Sequence, residues 1–215
     1  MSIYDIHTHH HPDVSGSAIV QLMSDAFIPF SGHCYSVGLH PWYIADDWRV
    51  QMAKLAVVAL HPQVVMIGET GMDKKNGAVS LEVQMEVFCE HVRISEILRK
   101  PLLIHCVKAI DELLALRKGT KATMPWVLHG FRGGVEQWRQ LSRAGIFVSL
   151  GDLFDADLAQ QLPLSDLLFE SDDSPSIDAV YTRVACCRGI DADTLRDHVG
   201  RNISRVLESW RTLPF

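Results

Sequence analysis

Short apolar runs that end in a polar residue recur along the chain, and more polar, helix-like segments separate most of them. The first run, Ile3 to His9, is rich in strand-forming residues and ends on histidine. Two later runs, Pro101 to His105 and Pro125 to His129, each place one histidine directly after three apolar residues. The pattern predicts buried strands that carry a polar group at the carboxyl end.

Eight segments fit this description of a strand, and seven others are plausible helices. The predicted strands are residues 3–9, 17–23, 34–40, 63–69, 101–105, 125–129, 145–150 and 166–172. The predicted helices are residues 46–60, 81–99, 109–117, 135–144, 156–162, 177–188 and 194–207. Strands that alternate with helices pair in parallel, and eight of them predict an α/β fold of the (β/α)8 TIM-barrel type.

The start of the chain departs from a regular barrel. Only nine residues separate His7 from Ser17, whereas a parallel crossover normally needs a dozen or more. The next connection, residues 24–32, is similarly short. We therefore expect a somewhat distorted barrel in which the first helices are reduced or missing.

Polar side chains at the carboxyl ends of the strands are the candidates for chemistry. They are His9, His40, Glu69, His105, His129 and Asp172. Barrel enzymes assemble their active sites at this end. In the first strand, side-chain alternation puts Asp5, His7 and His9 on one face. A lone buried histidine is more often satisfied by a backbone carbonyl, but recurrence on successive strands favours a metal site.

Composition places the chain among globular proteins and excludes several classes. Apolar residues make up 47% and charged residues 21% of the 215 positions, which predicts one domain over residues 1–215. No apolar run approaches the ~18 residues of a membrane helix and no secretory signal is visible, so we expect a cytoplasmic protein without membrane association. The net charge of −6 argues against a broadly basic nucleic-acid surface, although a local patch could accept phosphates where metal ions add positive charge.

Eight motifs in order along the chain resemble those of the TatD-like metal-dependent hydrolases, relatives of the amidohydrolase barrels. The motifs are His7-Thr8-His9, Gly38-Leu39-His40-Pro41, Gly68 to Asp73, Pro101 to His105, His129 to Gly133, Gly145 to Gly151, Leu167 to Asp172 and Asn202 to Leu207. The resemblance covers nearly the whole chain and implies a barrel hydrolase that uses two divalent metal ions (Zn, Mn or Mg).

The resemblance also implies roles for individual residues. The implied metal ligands are His7, His9, Glu69, His105, His129 and Asp172. Glu69 would bridge the two ions, and Asp172 would orient the attacking water and take its proton as general base. Glu69 and Asp172 are thus the predicted catalytic residues, and Glu170 is expected to support neighbouring ligands through hydrogen bonds.

The residues that would contact a substrate are less uniform. His105 is followed by Cys106, Val107 and Lys108, where the family commonly has an arginine at the position of Val107. A lysine lacks the planar fork of an arginine and grips a phosphate less specifically. The predicted substrate-binding residues are His40, Lys74, Lys108 and Arg132, although residues such as Lys74, Lys75 and Arg132 are more often part of a solvated surface.

Three functions remain open from the sequence. The first is a phosphodiesterase or deoxyribonuclease that acts on DNA or on a small phosphodiester. The second is an amidohydrolase-like enzyme that acts on a small amide, lactone or ester, since the same metal chemistry attacks carbonyl carbon. The third is a metal-binding barrel without turnover, which the intact ligand set disfavours. No obligate protein partner is evident.

Overall fold

Seven parallel strands, hydrogen-bonded in chain order, form the central sheet of the computed structural model, which describes residues 3–208. The strands are β1 (Asp5–Thr8), β2 (Ala18–Met23), β3 (Cys34–Gly38), β4 (Val64–Asp73), β5 (Leu102–Val107), β6 (Trp126–Leu128) and β7 (Ile146–Val148). The helices are α1 (Trp48–Val58), α2 (Leu81–Leu98), α3 (Ile110–Thr120), α4 (Val135–Arg143), α5 (Ala156–Gln161), α6 (Asp178–Arg188) and α7 (Ala192–Glu208). The predicted α/β barrel class is confirmed.

The eighth predicted strand, residues 166–172, closes the sheet without forming a regular strand. Leu150 forms a parallel bridge with Phe169, and Thr8 forms one with Asp172. The segment therefore lies between β7 and β1. Asp172 has a φ of 51°. The extended conformation of this segment therefore ends at Asp172, one of the candidate site residues.

The two short connections of the first strands contain no helix in the described chain, as the sequence predicts. Residues 9–17 join β1 to β2, and residues 24–33 join β2 to β3. In the second connection the Gln63 amide donates to the carbonyl oxygens of Phe30 and His33, at 2.6 and 2.9 Å. Two hydrogen bonds from one side chain thus hold this connection in place, where a regular barrel would have a helix. No helix within residues 3–208 is both long and apolar enough to cross a membrane.

Strand β4 extends to Asp73, beyond its predicted end at Glu69. Glycines allow its neighbours to approach closely there. A Cβ on Gly71, whose φ is 146°, would lie 1.9 Å from the His105 carbonyl oxygen. A Cβ on Gly38 would lie 2.3 Å from the Glu69 carbonyl oxygen. These contacts explain why glycines lie near the glutamate, one in β4 and one in the neighbouring β3, since any side chain there would push β3 and β5 away from β4.

His91 in α2 is a buried histidine that joins this helix to the end of β3. Its Nε2 accepts a hydrogen bond from the backbone N–H of Leu39 at 3.0 Å, and its Nδ1 lies 2.8 Å from the Val87 carbonyl oxygen. Nδ1 therefore carries the proton of a neutral ring. Burial lowers the pKa of His91 from 6.5 to about 4.

We predict that His91 makes folding sensitive to acid. Because its pKa is lower in the folded chain, the unfolded chain binds the proton first, and the free energy of unfolding falls as the pH drops from 6.5 toward 4. The full loss is roughly 3 kcal/mol. Urea unfolding across this range should give a shallower pH dependence for His91→Gln than for the wild type, and His198→Gln in α7 is the matched control. Equal pH dependence of the wild type and His91→Gln would contradict the prediction.

Candidate metal centre

Glu69, a buried carboxylate in β4, lies among five histidines, three of which face its Oε1 atom. His129 Nε2 is 2.7 Å from Oε1, His105 Nδ1 is 3.2 Å away and His40 Nε2 is 3.3 Å away. His105 belongs to β5, while His40 and His129 follow the ends of β3 and β6. Neighbouring parallel strands therefore bring these three imidazoles to one oxygen.

The other oxygen of Glu69 faces the first strand. His7 Nε2 and His9 Nε2 each lie 3.5 Å from Oε2. The same two nitrogens lie 3.4 and 3.5 Å from Asp172 Oδ1. Glu69 thus divides the cluster into two ends, with Asp172 at the end formed by β1 and the closing segment.

Side chains of the cluster could hold metal ions in several overlapping sets, whose ligand atoms lie within 4.8 Å of one another. The sets are His7 with Glu69 and His129; His7 with His9 and Asp172; His40 with Glu69 and His105; and His129 with Glu170 and Asp172. The structure thus brings together all six of the ligands predicted from the sequence, and adds His40 and Glu170.

His7 provides a test of whether the cluster fits a metal ion. Both nitrogens of its ring are buried and have no hydrogen-bond partner within residues 3–208. A buried polar atom without a partner costs about 1–3 kcal/mol, and a cation bound at Nε2 would satisfy one of the two. Imidazole and carboxylate are also the donors that divalent transition-metal ions prefer. The cluster therefore fits a divalent ion.

The outer nitrogen of His105 is fixed by a carboxylate. His105 Nε2 lies 3.3 Å from Asp73 Oδ2, which also accepts a hydrogen bond from Trp42 Nε1 at 2.7 Å. The backbone N–H groups of Lys75 and Asn76 donate to Asp73 Oδ1 at 2.7 and 2.8 Å. Although burial opposes ionisation, these donors lower the pKa of Asp73 to about 2. Asp73 is therefore a fixed anion that can accept a hydrogen bond from His105 Nε2–H and leave Nδ1 to bind a cation beside Glu69.

His129 has the same kind of support from Glu170. Its Nδ1 lies 3.4 Å from Glu170 Oε1, and Ser149 Oγ donates to Glu170 Oε2. Glu170 is completely buried. This contact is of the kind expected from the sequence for Glu170, whereas no such role was expected for Asp73.

Asp5 and Gln21 hold the backbone of the cluster and do not face it. Asp5 accepts hydrogen bonds from Ser171 Oγ at 2.7 Å and from the backbone N–H of His7 at 3.2 Å. Burial raises the pKa of Asp5 to about 7. Gln21 Oε1 accepts from the backbone N–H of Glu69 at 2.8 Å. Both side chains thus fix a strand at the residue that enters the cluster.

Charges within the cluster compensate one another. Burial alone would raise the pKa of Glu69, but the imidazoles of His129, His105 and His40 hold it well below its usual range. Burial alone would lower the pKa of His129, but Glu69 and Glu170 raise it well above its usual range. The metal-free cluster therefore retains protons that a metal ion must displace.

The predicted substrate-binding cations lie in different surroundings. Lys74 Nζ pairs with Glu112 Oε1 at 2.7 Å, so its charge is compensated on the surface. Lys108 is exposed and has a φ of 56°. Arg132 is exposed and lines a cleft of about 220 Å³ together with Asp172. Arg132 thus shares a cleft with a residue of the cluster.

A parallel β/α barrel with histidines and carboxylates at the carboxyl ends of its strands has the arrangement of the metal-dependent barrel hydrolases. Residues 17–208 match the family model described as TatD related DNase. The chain belongs to this family. The resemblance noted in the sequence is therefore confirmed.

Individual relatives agree with this assignment. An uncharacterized metal-dependent hydrolase from Buchnera aphidicola subsp. Baizongia pistaciae is 30% identical over 156 residues, which cover 69% of this chain and 58% of the relative. A protein of Citrobacter rodentium named "3'-5' ssDNA/RNA exonuclease TatD" is 31% identical over 152 residues, or 65% of this chain and 57% of the relative. The chain thus spans under three fifths of the length of these relatives.

The fold is also that of a solved TatD homologue. The crystal structure of YJJV from Escherichia coli K12 matches with a TM-score of 0.80 at 19% identity. The match covers 95% of this chain and 97% of that one. The match therefore supports the barrel fold.

We predict that Asp73→Asn weakens metal binding without removing a ligand. The amide cannot anchor His105 Nε2 as an anion does, so the affinity for one metal ion should fall by roughly 10–100-fold. Calorimetric titration of metal-stripped protein with Zn²⁺ measures this change, and Asp25→Asn in the connection after β2 is the control. Unchanged affinity in Asp73→Asn would show that the contact does not support the site.

Proposed function

We propose that the chain hydrolyses phosphodiester bonds with the help of divalent metal ions, as a nuclease of the TatD type that acts on DNA or on a small phosphodiester. The observation that carries the proposal is the position of Glu69, which faces histidines with both carboxylate oxygens. This geometry suits a carboxylate that bridges two ions. The name of the Citrobacter rodentium relative supports the choice of substrate class.

The ligands follow from the two ends of the cluster. At one end we assign His7, His9, Glu69 and Asp172, and at the other Glu69, His105 and His129. The histidines favour Zn²⁺ or Mn²⁺, while the carboxylates also accept Mg²⁺. When bound, such ions lower the pKa of water and stabilise negative charge on phosphoryl oxygens.

Asp172 is the residue we assign as general base. Burial opposes its ionisation, but His7 lowers the pKa of Asp172 below its usual range. Its side chain is 36% exposed, so water can reach it. Asp172 therefore offers an ionised, accessible oxygen that can orient a water molecule and take its proton.

We predict that Asp172→Asn keeps the fold and loses most activity. Asparagine tolerates the positive φ at this position, but its amide cannot accept a proton, so cleavage should slow by roughly 10²–10⁴-fold. Metal-stripped protein is assayed with bis(p-nitrophenyl) phosphate and single-stranded DNA after Mg²⁺, Mn²⁺ or Zn²⁺ is added back, with Asp193→Asn in α7 as control.

The wild type should cleave both substrates only with metal. Full activity of Asp172→Asn would refute the general-base role. If the wild type binds metal but cleaves neither substrate, the phosphodiesterase proposal fails, and hydrolysis of a small amide, lactone or ester becomes the next function to assay.

We also predict that His105→Ala loses one of two metal ions. Its Nδ1 faces the Oε1 end of Glu69 only, so the ion at the other end should remain. Metal content after equilibration with Mn²⁺, measured by mass spectrometry, should fall by one ion per chain. His61→Ala, outside the cluster, is the control, and unchanged metal content in His105→Ala would contradict the ligand assignment.

A further inference from the structure

His40 differs from the other histidines at its end of the cluster. By distance alone it resembles a metal ligand, because its Nε2 is 3.3 Å from Glu69 Oε1 and it forms a candidate metal set with Glu69 and His105. The partner of its outer nitrogen, however, is a hydrogen-bond donor, whereas the outer nitrogens of His105 and His129 face carboxylate acceptors. This partner decides which nitrogen carries the proton.

The backbone N–H of Trp42 donates a hydrogen bond to His40 Nδ1 at 3.2 Å. A nitrogen that accepts a hydrogen bond carries no proton, so the proton of the ring lies on Nε2. A doubly protonated ring would leave the Trp42 N–H facing another N–H. His40 is therefore a neutral imidazole that presents Nε2–H to the cluster, and a protonated nitrogen has no lone pair for a metal ion.

In His105 and His129 the roles of the outer and inner nitrogens are reversed. Their outer nitrogens face the carboxylates of Asp73 and Glu170, at 3.3 and 3.4 Å. Those carboxylates accept a hydrogen bond from the protonated outer nitrogen, so the inner nitrogen can offer its lone pair to a cation. The same end of the cluster thus holds two imidazoles suited to bind a cation and one suited to donate a hydrogen bond.

The donor is also held in a fixed position. The Trp42 indole is anchored to Asp73 at 2.7 Å, and the backbone N–H of Tyr43 donates to the His40 carbonyl oxygen at 2.9 Å. His40 faces Oε1 of Glu69, whereas the partners of Asp172 face Oε2. A proton acceptor and a hydrogen-bond donor therefore lie at opposite ends of the same carboxylate.

We propose that His40 donates a hydrogen bond from Nε2 to the leaving oxygen of the phosphodiester and is not a ligand of either metal ion. The proposal rests on the phosphodiesterase function proposed above. The oxygen of water forms a bond to phosphorus, and Asp172 takes the proton of that water. The bond from phosphorus to the leaving oxygen breaks, the electron pair stays on that oxygen, and the His40 N–H stabilises it until solvent supplies a proton. Asp172 then returns its proton to solvent.

The first test separates a donor from a ligand. His40→Leu removes the donor, and His40→Gln keeps an amide N–H near the position of Nε2. Both variants should bind as many Mn²⁺ ions as the wild type, whereas His105→Ala should bind fewer. Loss of an ion from both His40 variants would make His40 a ligand and overturn the proposal.

The second test uses the leaving group. In bis(p-nitrophenyl) phosphate the leaving oxygen is a stable phenolate, whereas in an oligothymidylate it is a sugar alkoxide that needs a donor. His40→Leu should lower kcat on the oligothymidylate by roughly 10²–10³-fold and on the nitrophenyl ester by no more than roughly tenfold. His40→Gln should recover part of the loss on the oligothymidylate. Equal losses on both substrates would overturn the proposal.

The controls separate this proposal from the function on which it rests. His61 also accepts a backbone N–H at Nδ1, from Gln63 at 3.3 Å, but lies outside the cluster, so His61→Gln should keep wild-type activity and metal content. If the wild type cleaves neither ester, the proposed function fails and this role of His40 fails with it. If the wild type cleaves both, the proposed function stands. The loss of kcat in His40→Leu on the oligothymidylate, divided by its loss on the nitrophenyl ester, then tests the role of His40 alone. In nitrogen-15 NMR of Zn²⁺-loaded protein, a proton found on His40 Nδ1 would likewise overturn the proposal.

Discussion

A carboxylate inside a protein needs donors or positive charge around it, and the buried Glu69 is the group on which the rest of the site depends. The close approach of β3 and β5, which Gly38 and Gly71 permit, places Glu69 between His40, which follows β3, and His105 in β5. Gln21 then fixes its backbone N–H. The imidazoles lower the pKa of the glutamate, and the glutamate raises that of His129. Protons and metal ions therefore compete for the same ligands.

The hydrogen bonds behind the histidines give chemically identical side chains different capacities. A carboxylate behind His105 or His129 leaves a lone pair inside the cluster, whereas the backbone N–H behind His40 leaves a proton there. Trp42 links the two arrangements, because its backbone N–H donates to His40 Nδ1 and its indole N–H donates to Asp73. A short loop after β3 thus determines which nitrogen of His40 carries the proton, and it supports the carboxylate that orients His105.

Much of this site could be predicted from the sequence, because strand ends meet at one end of a barrel whatever the details of the loops. The irregular start was also predictable, since residues 9–17 are too few for a crossover. The orientation of single groups was not. Alternation along β1 puts Asp5 on the face of His7, yet its carboxylate accepts hydrogen bonds from Ser171, which is far away in the sequence. Likewise, nothing near Lys74 in the sequence shows that it pairs with Glu112.

The charges around the site bear on how an anionic substrate could be held. The chain has a net charge of −6, and the cleft that Arg132 lines with Asp172 is also lined by Asp152 and Asp173. One exposed guanidinium among carboxylates attracts a phosphodiester weakly, because solvent screens it and the acids oppose it. Divalent ions at Glu69 would be the largest positive charges in this region. In the proposed function, substrate affinity and metal occupancy are therefore coupled by the same electrostatic interaction.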